Sequence, residues 1–267
     1  MSTEHQLQPG CSIALPDIST TGHDFHSNRK EAEWEFKQLR KEIISYQEKL
    51  YAEGRQKLLI LFQAMDAGGK DGTIRKVFQG VNAQGMRVTS FKKPSTLERA
   101  HDYLWRVHKA VPQAGKIEIF NRSHYEDVLV VRVDNLVPEE TWQERYEQIN
   151  QFENLLAATG TTILKFYLHI SKEEQKERFQ SRLDDPAKHW KFSMDDLAKR
   201  KLWNAYQLAY EDMLNNCTTE QAPWYIIPAD QKWYRNLAIA RVIVQALDKM
   251  NPQFPEAEEQ WENVTID

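Results

Sequence analysis

A short glycine-rich segment that contains a lysine has the residue types best suited to phosphate chemistry. Residues 63–73 read QAMDAGGKDGT, which resembles the phosphate-loop pattern G-x-x-x-x-G-K-[ST] found between a strand and a helix. Gly69 and Lys70 match that pattern, whereas Ala64 replaces its first glycine. Small side chains let backbone N–H groups point at an anion, and a lysine and a helix start add positive charge. The sequence therefore predicts phosphate contacts from Ala67, Gly68, Gly69, Lys70, Asp71, Gly72 and Thr73.

The same segment lacks the hydroxyl residue that normally holds Mg²⁺ in such loops. Asp71 stands at that position, and Asp66 lies inside the loop. Because carboxylate oxygens are hard ligands that suit Mg²⁺, we expect Asp66 to replace the hydroxyl in a site for Mg²⁺, or alternatively Mn²⁺. Asp71 is the second choice, since an acid at a helix start also complements the helix dipole without binding a metal. The alternative for the whole segment is a tight strand-to-helix turn that binds no ligand.

A second group of polar residues follows the apolar run that ends at Phe120. Residues 120–133 read FNRSHYEDVLVVRV, and in phosphate-loop enzymes the corresponding strand commonly ends in an acid that reaches the metal. Here the first polar residue is the neutral Asn121, so the candidate metal ligands are Glu126 and Asp127. Helix capping by Asn121 and solvation of the two acids are the alternatives. Two arginines of the segment are candidates for phosphate binding: Arg122 and Arg132.

A basic segment in the second half of the chain is a candidate lid. Residues 171–201 contain nine Lys or Arg residues. Arg178 and Arg182 are four apart, which places them on one helix face, and Lys191 follows in the same segment. Arginines that close over a phosphate loop neutralise charge during phosphoryl transfer. We therefore predict a helical lid at about 178–205, the alternative being a surface helix covered by salt bridges.

Apolar runs alternate with helical patterns along the chain. Continuous apolar strands separated by helices are typical of a parallel sheet covered on both faces. The predicted fold class is therefore α/β, with a five-stranded parallel sheet in three α/β/α layers. The loops that follow the strands then lie along one edge of the sheet, where ligands bind. The predicted strands span 57–63, 86–91, 116–120, 161–170 and 224–227, and the predicted helices span 29–53, 72–79, 95–111, 138–159, 172–183, 193–215 and 232–250.

Length, charge and cysteine content limit the class of protein. The chain has 267 residues, a formal net charge of −4 and two cysteines, which excludes a disulfide-stapled scaffold and favours a cytoplasmic protein. No apolar run is long enough to span a bilayer and no signal peptide is expected, so we predict no membrane partner. We divide the chain into an irregular arm over 1–28, one domain over 29–250 that includes the lid, and a C-terminal extension over 251–267.

Five stretches of the sequence resemble the polyphosphate kinase 2 family, and the second polar loop resembles its class III branch. The stretches are QAMDAGGKDGTI, DYLWRVH, IFNRSHYEDVLVVRV, TTILKFYLHIS and RLDDPAKHWKFS. The resemblance implies a phosphate-loop kinase fold with a helical lid. It also implies an enzyme that moves phosphoryl groups reversibly between inorganic polyphosphate and AMP or ADP, or GMP or GDP, with Mg²⁺. Members of the family associate, which suggests a homodimer or homotetramer.

The resemblance also assigns roles to individual residues. It makes four residues catalytic: Asp66, Lys70, Arg122 and Arg178. It places phosphate or nucleotide contacts at five more: Lys93, Asn121, Arg132, Arg182 and Lys191. The family's other branch has an aspartate at the position of Asn121. This difference shifts the expected metal ligands, beside Asp66, toward Glu126 and Asp127.

Three other functions compete with this interpretation. An ATP-dependent nucleoside monophosphate kinase would use the same fold, and a non-catalytic nucleotide- or polyphosphate-binding protein would use the same loop. A nucleic-acid-binding protein would use the basic lid. The acidic net charge and the lack of aromatic residues spaced as a stacking platform argue against nucleic acid as a partner.

Overall fold

The computed structural model describes residues 4–256, and a five-stranded sheet lies at its centre. The strands are β1 (Lys57–Gln63), β2 (Met86–Ser90), β3 (Ile117–Asn121), β4 (Thr161–His169) and β5 (Trp224–Pro228). Their order in the sheet is β2-β3-β1-β4-β5, and neighbouring strands pair in parallel. The predicted α/β class and the predicted five-stranded parallel sheet are therefore confirmed.

The position of β1 determines where a ligand can bind. Residues 58–62 of this strand are apolar and fully buried, as expected for a strand covered on both faces. From β1 the chain moves to one side to form β2 and β3, and then crosses to the other side for β4 and β5. The loop after β1 therefore lies where the strand order reverses, which is the usual ligand site of open α/β sheets. Phe62 of β1 pairs with Asn121 of β3, so the loops after these strands are neighbours.

The helices of the described residues are α1 (Arg29–Glu53), α2 (Lys70–Val77), α3 (Thr96–Arg99), α4 (Trp105–His108), α5 (Val130–Val133), α6 (Glu139–Ala158), α7 (Lys172–Leu183), α8 (Met194–Lys201), α9 (Trp203–Asn216) and α10 (Lys232–Met250). Six of them form two groups around the sheet. One group contains α1, α2 and α10, the other α5, α6 and α9, and both groups contact β4 through α10 and α6. Short 3₁₀ turns span Leu15–Asp17, Gly22–Asp24, Ala83–Gly85, His124–Asp127 and Pro186–Lys191.

The helix predicted over 95–111 is wrong, because this segment forms the two single turns α3 and α4. Ser95 and Glu98 form a reciprocal capping box at the start of α3. A new turn begins at Asp102, whose carboxylate accepts from the backbone N–H of Leu104 and whose carbonyl accepts from the N–H of Trp105. Side-chain bonds of this kind offer the backbone an alternative to a continuous helix.

The helix predicted over 193–215 is also interrupted, here at Leu202. The N–H of Leu202 bonds to the carbonyl of Lys199, three residues back, and its own carbonyl accepts from Tyr206 to start α9. Ala209 and Met213 of α9 are fully buried, whereas α8 contributes no buried residue. The break at Leu202 thus separates α8, which has no buried residue, from α9, a helix of the core.

The predicted irregular arm packs on the domain rather than extending from it. Gln6 forms an antiparallel bridge with Tyr225 of β5, Leu15 is buried, and Nε2 of His5 lies 2.7 Å from the hydroxyl of Tyr234 in α10. Of the predicted C-terminal extension, 251–256 has no regular secondary structure and 257–267 lies outside the described residues. No described helix has both the length and the apolar character required to cross a membrane.

Candidate active site

The glycine-rich segment forms the turn between β1 and α2. Ala67 and Gly69 adopt left-handed backbone conformations, with φ of 62° and 101°, and Gly69 caps the start of α2. A Cβ added to the intervening Gly68 would lie 2.5 Å from the Cβ of Ala64, so this turn requires both a glycine at 68 and a small residue at 64. The hydroxyl of Thr73 is engaged within the protein, since it donates to the carbonyl of Gly69 at 3.0 Å.

Lys70 lies folded back against the turn that carries it. Its Nζ donates to the carbonyl of Ala64 at 2.8 Å. Burial of the ammonium group, together with the positive charge of Arg122, lowers the pKa of Lys70 to about 8. An ammonium group whose charged form is disfavoured in this way gains most from an incoming phosphate, because an anion relieves the cost of the charge.

Arg122 connects the loops after β1 and β3. It has a left-handed backbone conformation, with φ of 60°. Its Nη2 lies 2.7 Å from Oδ1 of Asp66 and its Nη1 lies 3.4 Å from Oε2 of Glu126. Burial raises the pKa of Asp66, but Arg122 and Lys70 outweigh burial and hold it below its usual value. Asp66 therefore stays ionised at neutral pH and keeps Arg122 beside the glycine-rich turn over 67–69, the predicted phosphate-binding turn.

Asn121, the last residue of β3, contacts α2 through Asp71. Its Nδ2 donates to Oδ1 of Asp71 at 2.5 Å. A neutral amide can donate to this carboxylate, whereas an aspartate at 121 would place two negative charges together. An aspartate at position 121 would therefore change the charge directly beside the glycine-rich turn.

A cleft of about 820 Å³ opens over this turn. It brings together most of the residues predicted from the sequence: Asp66, Ala67, Gly68, Gly69, Lys70, Asp71, Gly72, Lys93, Asn121, Arg122, Arg178, Arg182 and Lys191. Its lining contains nine Lys or Arg residues and five Asp or Glu residues. The cleft is therefore positive although the whole chain carries a formal charge of −4, which suits an anionic ligand.

Four predicted site residues do not line this cleft: Thr73, Glu126, Arg132 and Asp127. Glu126 reaches the site only through Arg122. Arg132 pairs instead with Asp212 at 2.6 Å and lies over the ring of Trp142. Asp127 is buried against Arg145, and burial raises its pKa to about 6. The turn after β3 places Asp127, and the following α5 places Arg132, on the α6 and α9 side of the protein.

Arg178 of α7 holds the phosphate-binding turn to the rest of the protein. Its Nη1 donates to the carbonyls of Ala67 and Gly68, at 3.0 and 2.9 Å, and its Nη2 donates to the carbonyls of Ala229 and Asp230 after β5. Its Nε pairs with Glu174 at 2.7 Å. In this state Arg178 fixes the shape of the turn, because its five donors are engaged with protein acceptors.

Further residues of the segment predicted as a lid line the cleft. Nη1 of Arg182 donates to the carbonyl of Lys191 at 2.9 Å and lies 3.4 Å from Oδ2 of Asp196 in α8. Nζ of Lys191 lies 4.7 Å from the ring centre of Trp190, whose side chain is 79% exposed. Arg182 therefore links Lys191 to Asp196 of α8 within the segment predicted as a lid, and Lys191 and Trp190 line the cleft.

Sequence reasoning missed Lys232, which enters the cleft from the first turn of α10. The end of β5 lies at the same sheet edge as the ends of β1 and β3. The general rule that ligands bind at the carboxyl ends of parallel strands could have identified it. Glu174 and Glu177, which were not predicted as site residues, also line the cleft.

Asp66 fits a role as a ligand of Mg²⁺. Within residues 4–256, hydrogen bonds reach its Oδ1 but not its Oδ2, so one hard oxygen remains available in the lining of the cleft. No group of three or more His, Cys, Asp or Glu side chains in the described part of the chain forms a metal site. Mg²⁺ typically takes only one or two protein carboxylates and completes its coordination with waters and substrate phosphates, which is compatible with this arrangement.

Comparison with known proteins shows where the chain belongs. The family described as Polyphosphate kinase 2 matches residues 26–255. An AMP/ADP-polyphosphate phosphotransferase of Meiothermus ruber is 56% identical over 229 residues, which cover 86% of each chain. An ADP-polyphosphate phosphotransferase of Rhodopseudomonas palustris is 45% identical over 226 residues, covering 80% of this chain and 78% of the relative.

A solved structure agrees with these sequence matches. The crystal structure of polyphosphate kinase 2 from Arthrobacter aurescens TC1 superposes with a TM-score of 0.92 at 38% identity, covering 97% of this chain and 92% of that one. The family match and these similarities, on a chain with a glycine-rich turn in a positive cleft, lead to one conclusion: the chain belongs to the polyphosphate kinase 2 family.

Proposed function

We propose that this protein transfers phosphoryl groups reversibly between inorganic polyphosphate and AMP or ADP, with GMP and GDP as further acceptors. The observation that carries the proposal is the charge of the cleft, whose cationic side chains outnumber its carboxylates in a chain of negative net charge. A cleft of this kind, built around a phosphate-binding turn, suits two polyanionic substrates at once. The names of the two relatives support polyphosphate, AMP and ADP as these substrates.

The acceptor in this reaction is itself a phosphate, which decides what the protein must supply. The second pKa of a phosphate monoester is about 6, so the attacking oxygen is largely deprotonated at neutral pH. A general base is therefore hardly needed. The main obstacle is repulsion between two polyanions, and the protein must neutralise charge and align the attacking and leaving oxygens.

Different residues of the cleft neutralise the charge and align the reacting oxygens. The turn over 67–69 binds phosphate oxygens through backbone N–H groups at the start of α2. Lys70 leaves the carbonyl of Ala64 to meet the transferring phosphoryl group, and Arg122, held by Asp66, neutralises it from the β3 side. Arg178 keeps the turn in shape, while Arg182 and Lys191 bring the lid over the polyphosphate chain.

Mg²⁺ is the metal that we propose for this reaction, with Asp66 as its protein ligand and Mn²⁺ as an alternative. When bound, the ion would neutralise part of the negative charge on the phosphate oxygens. Glu126 is placed to orient Arg122 rather than to bind metal, since its carboxylate faces the guanidinium. We further propose that the protein works as a homodimer or homotetramer and accepts both mono- and diphosphates, as in the class III branch.

An assay without ATP tests this function directly. The protein is incubated with Mg²⁺, polyphosphate and either AMP or ADP, and the nucleotides are separated by chromatography. We expect ADP and ATP from AMP, and ATP from ADP. Lys70→Ala should lose at least about 10²-fold in rate, the scale of removing one transition-state donor. Lys37→Ala on the exposed face of α1 is the matched control and should keep the rate.

The same assay separates the rival functions. Formation of ADP from AMP only when ATP is added would show an ATP-dependent nucleoside monophosphate kinase. Binding of nucleotide or polyphosphate with no transfer under either condition would show a non-catalytic binding protein. Either result would contradict the proposed function.

A further inference from the structure

Arg235 of α10 is a buried cation without a carboxylate partner. Its side chain lies in the first turn of the helix, and the residue is 2% exposed. Its Nε and Nη2 donate to Oδ1 of Asn236, at 3.3 and 3.1 Å. Within residues 4–256, no Asp or Glu lies within 4.0 Å of the guanidinium, and its Nη1 has no hydrogen-bond acceptor. A buried charge left in this state is costly unless something compensates it.

Two other strongly buried cations of this protein have acidic partners. Nζ of Lys165 lies 2.6 Å from Oε2 of Glu153, and Nε of Arg178 lies 2.7 Å from Oε1 of Glu174. Glu174 is the acid that acts on Arg235 from a distance, but its hydrogen bond goes to Arg178. Arg235 therefore differs from Lys165 and Arg178 in lacking a counter-charge, not in being buried.

The unpartnered end of Arg235 lies against the phosphate-binding turn. A Cβ added to Gly69 would overlap Nη1 of Arg235 and would lie 3.3 Å from Nη1 of Arg178. Two guanidinium groups thus meet at the residue that caps α2, and glycine is required there by close approach as well as by its φ of 101°. Burial and the charge of Arg178 lower the pKa of Arg235 to about 9.

We propose that Arg235 is a positioning residue that places a fixed positive charge behind the phosphate-binding turn, where the phosphates of the substrate supply the counter-charge that the protein lacks. Arg235 does not line the cleft, so it acts through the turn at Gly69 and not by touching substrate. This inference rests on the proposed function, because it requires a phosphate chain in the turn. The inference predicts an effect on stability: the charge of Arg235 destabilises the ligand-free protein and stabilises the complex with phosphate.

The test compares charge removal with charge retention at this position. Arg235→Met and Arg235→Gln remove the charge while keeping a long side chain, and Arg235→Lys keeps it. Thermal melting is recorded with and without tripolyphosphate, and KM for polyphosphate and kcat are measured. We expect the two neutral variants to melt at or above the wild-type temperature without ligand, to lose most of the tripolyphosphate-induced shift, and to raise KM on the order of tenfold. Their kcat should change less than their KM, and Arg235→Lys should restore the shift.

A second arginine on the same helix provides the matched control. Arg241 pairs with both carboxylate oxygens of Glu35, at 2.6 and 2.7 Å, and lies outside the cleft. Arg241→Met should lower the melting temperature of the ligand-free protein and leave the tripolyphosphate-induced shift unchanged. This is the opposite of the pattern expected at Arg235, so the comparison separates a structural arginine from one that serves the phosphate site.

Two outcomes would overturn the inference. If the wild type transfers phosphoryl groups while both neutral variants at 235 keep its tripolyphosphate-induced shift and its KM, the inference alone is wrong. The same holds if both variants are destabilised like Arg241→Met and Arg235→Lys does not restore the shift. If the wild type neither transfers phosphoryl groups nor responds to tripolyphosphate, the proposed function is wrong and the inference fails with it.

Discussion

Lys70 is poised to change its proton affinity when phosphate binds. In the ligand-free protein, burial and Arg122 lower its pKa to about 8, so the ammonium form is complete only below that pH. A phosphate group in the turn would raise the pKa again, because an opposite charge favours the charged form. The free enzyme and the enzyme–substrate complex should therefore lose the Lys70 proton at different pH values.

This difference predicts the pH dependence of the reaction. We expect kcat/KM for polyphosphate, which reports the free enzyme, to fall as the pH rises through about 8, while kcat holds to a higher pH. The measurement is a pair of rate profiles between roughly pH 6.5 and 10. Lys70→Arg, whose side chain stays charged throughout this range, should abolish the fall in kcat/KM. A profile unchanged by this substitution would show that another group titrates.

Asn121 places a neutral side chain beside Asp71. We expect this position to influence the preference between AMP and ADP as acceptors. Asn121→Asp would replace the 2.5 Å amide-to-carboxylate hydrogen bond with two adjacent carboxylates, which repel each other or share a cation. We expect the ratio of initial rates with AMP and ADP to change and the requirement for Mg²⁺ to rise. Both are measured in the assay without ATP. Asn121→Ser, which adds no charge, is the control, and an equal change in the two variants would exclude a role for charge.

Among the secondary-structure elements, the turn His124–Asp127 depends on a buried polar network. Nζ of Lys165 in β4 donates to Tyr125 Oη, to Glu153 Oε2 and to the carbonyl of Cys217, at 2.8, 2.6 and 2.6 Å. His124 Nε2 lies 3.1 Å from Glu153 Oε1. Because this turn begins two residues after Arg122, the network fixes the β3 side of the candidate active site.

Removing one partner of this network should be strongly destabilising. Lys165→Met leaves the buried carboxylate of Glu153 without its cation, for which we expect a loss of about 3–5 kcal/mol in the free energy of unfolding. Chemical denaturation measures this loss. Lys57→Met on the neighbouring strand is the control, since Lys57 only donates to the carbonyl of Thr159 at the surface. A loss at Lys165 no larger than at Lys57 would contradict the role of the network.

At the scale of the whole molecule, charge is distributed unevenly. The chain is acidic overall, yet cations dominate the cleft. In the described part of the chain, five of the nine cleft cations have no carboxylate within 4.0 Å: Lys70, Lys92, Lys93, Lys191 and Lys232. These residues are available to a long polyanion, whereas the acidic remainder of the surface repels it. We therefore expect polyphosphate to be held in the cleft by charge more than by shape.

This distribution predicts a steep dependence on salt. By analogy with counterion release from nucleic acids, KM for polyphosphate should rise at least about tenfold between 50 and 200 mM KCl. The KM for ADP, which carries fewer charges, should rise less. Lys191→Gln should lower the slope of log KM against log salt by about one, whereas Lys37→Gln on α1 should leave it unchanged. Parallel slopes for polyphosphate and ADP would contradict binding by charge.

The sequence by itself determined the features that depend on residues close together in the chain. The turn over 63–73 could be recognised because its small residues and its lysine form the phosphate site locally, between one strand and the next helix. The five strands followed from their apolar runs for the same reason. Helix continuity was less predictable, as the breaks at Asp102 and Leu202 show, because single hydrogen bonds decide whether a turn continues.

The tertiary structure decided which side chains enter the cleft. Arg132 and Asp127 belong to the same segment after β3 as Arg122, but they pair with Asp212 and Arg145 on α9 and α6, which lie farther along the sequence. Lys232 and Arg235 reach the site from the opposite end of the chain. The direction of a side chain after a strand is set by the packing of distant elements and the burial of charge, and neither is encoded in local spacing.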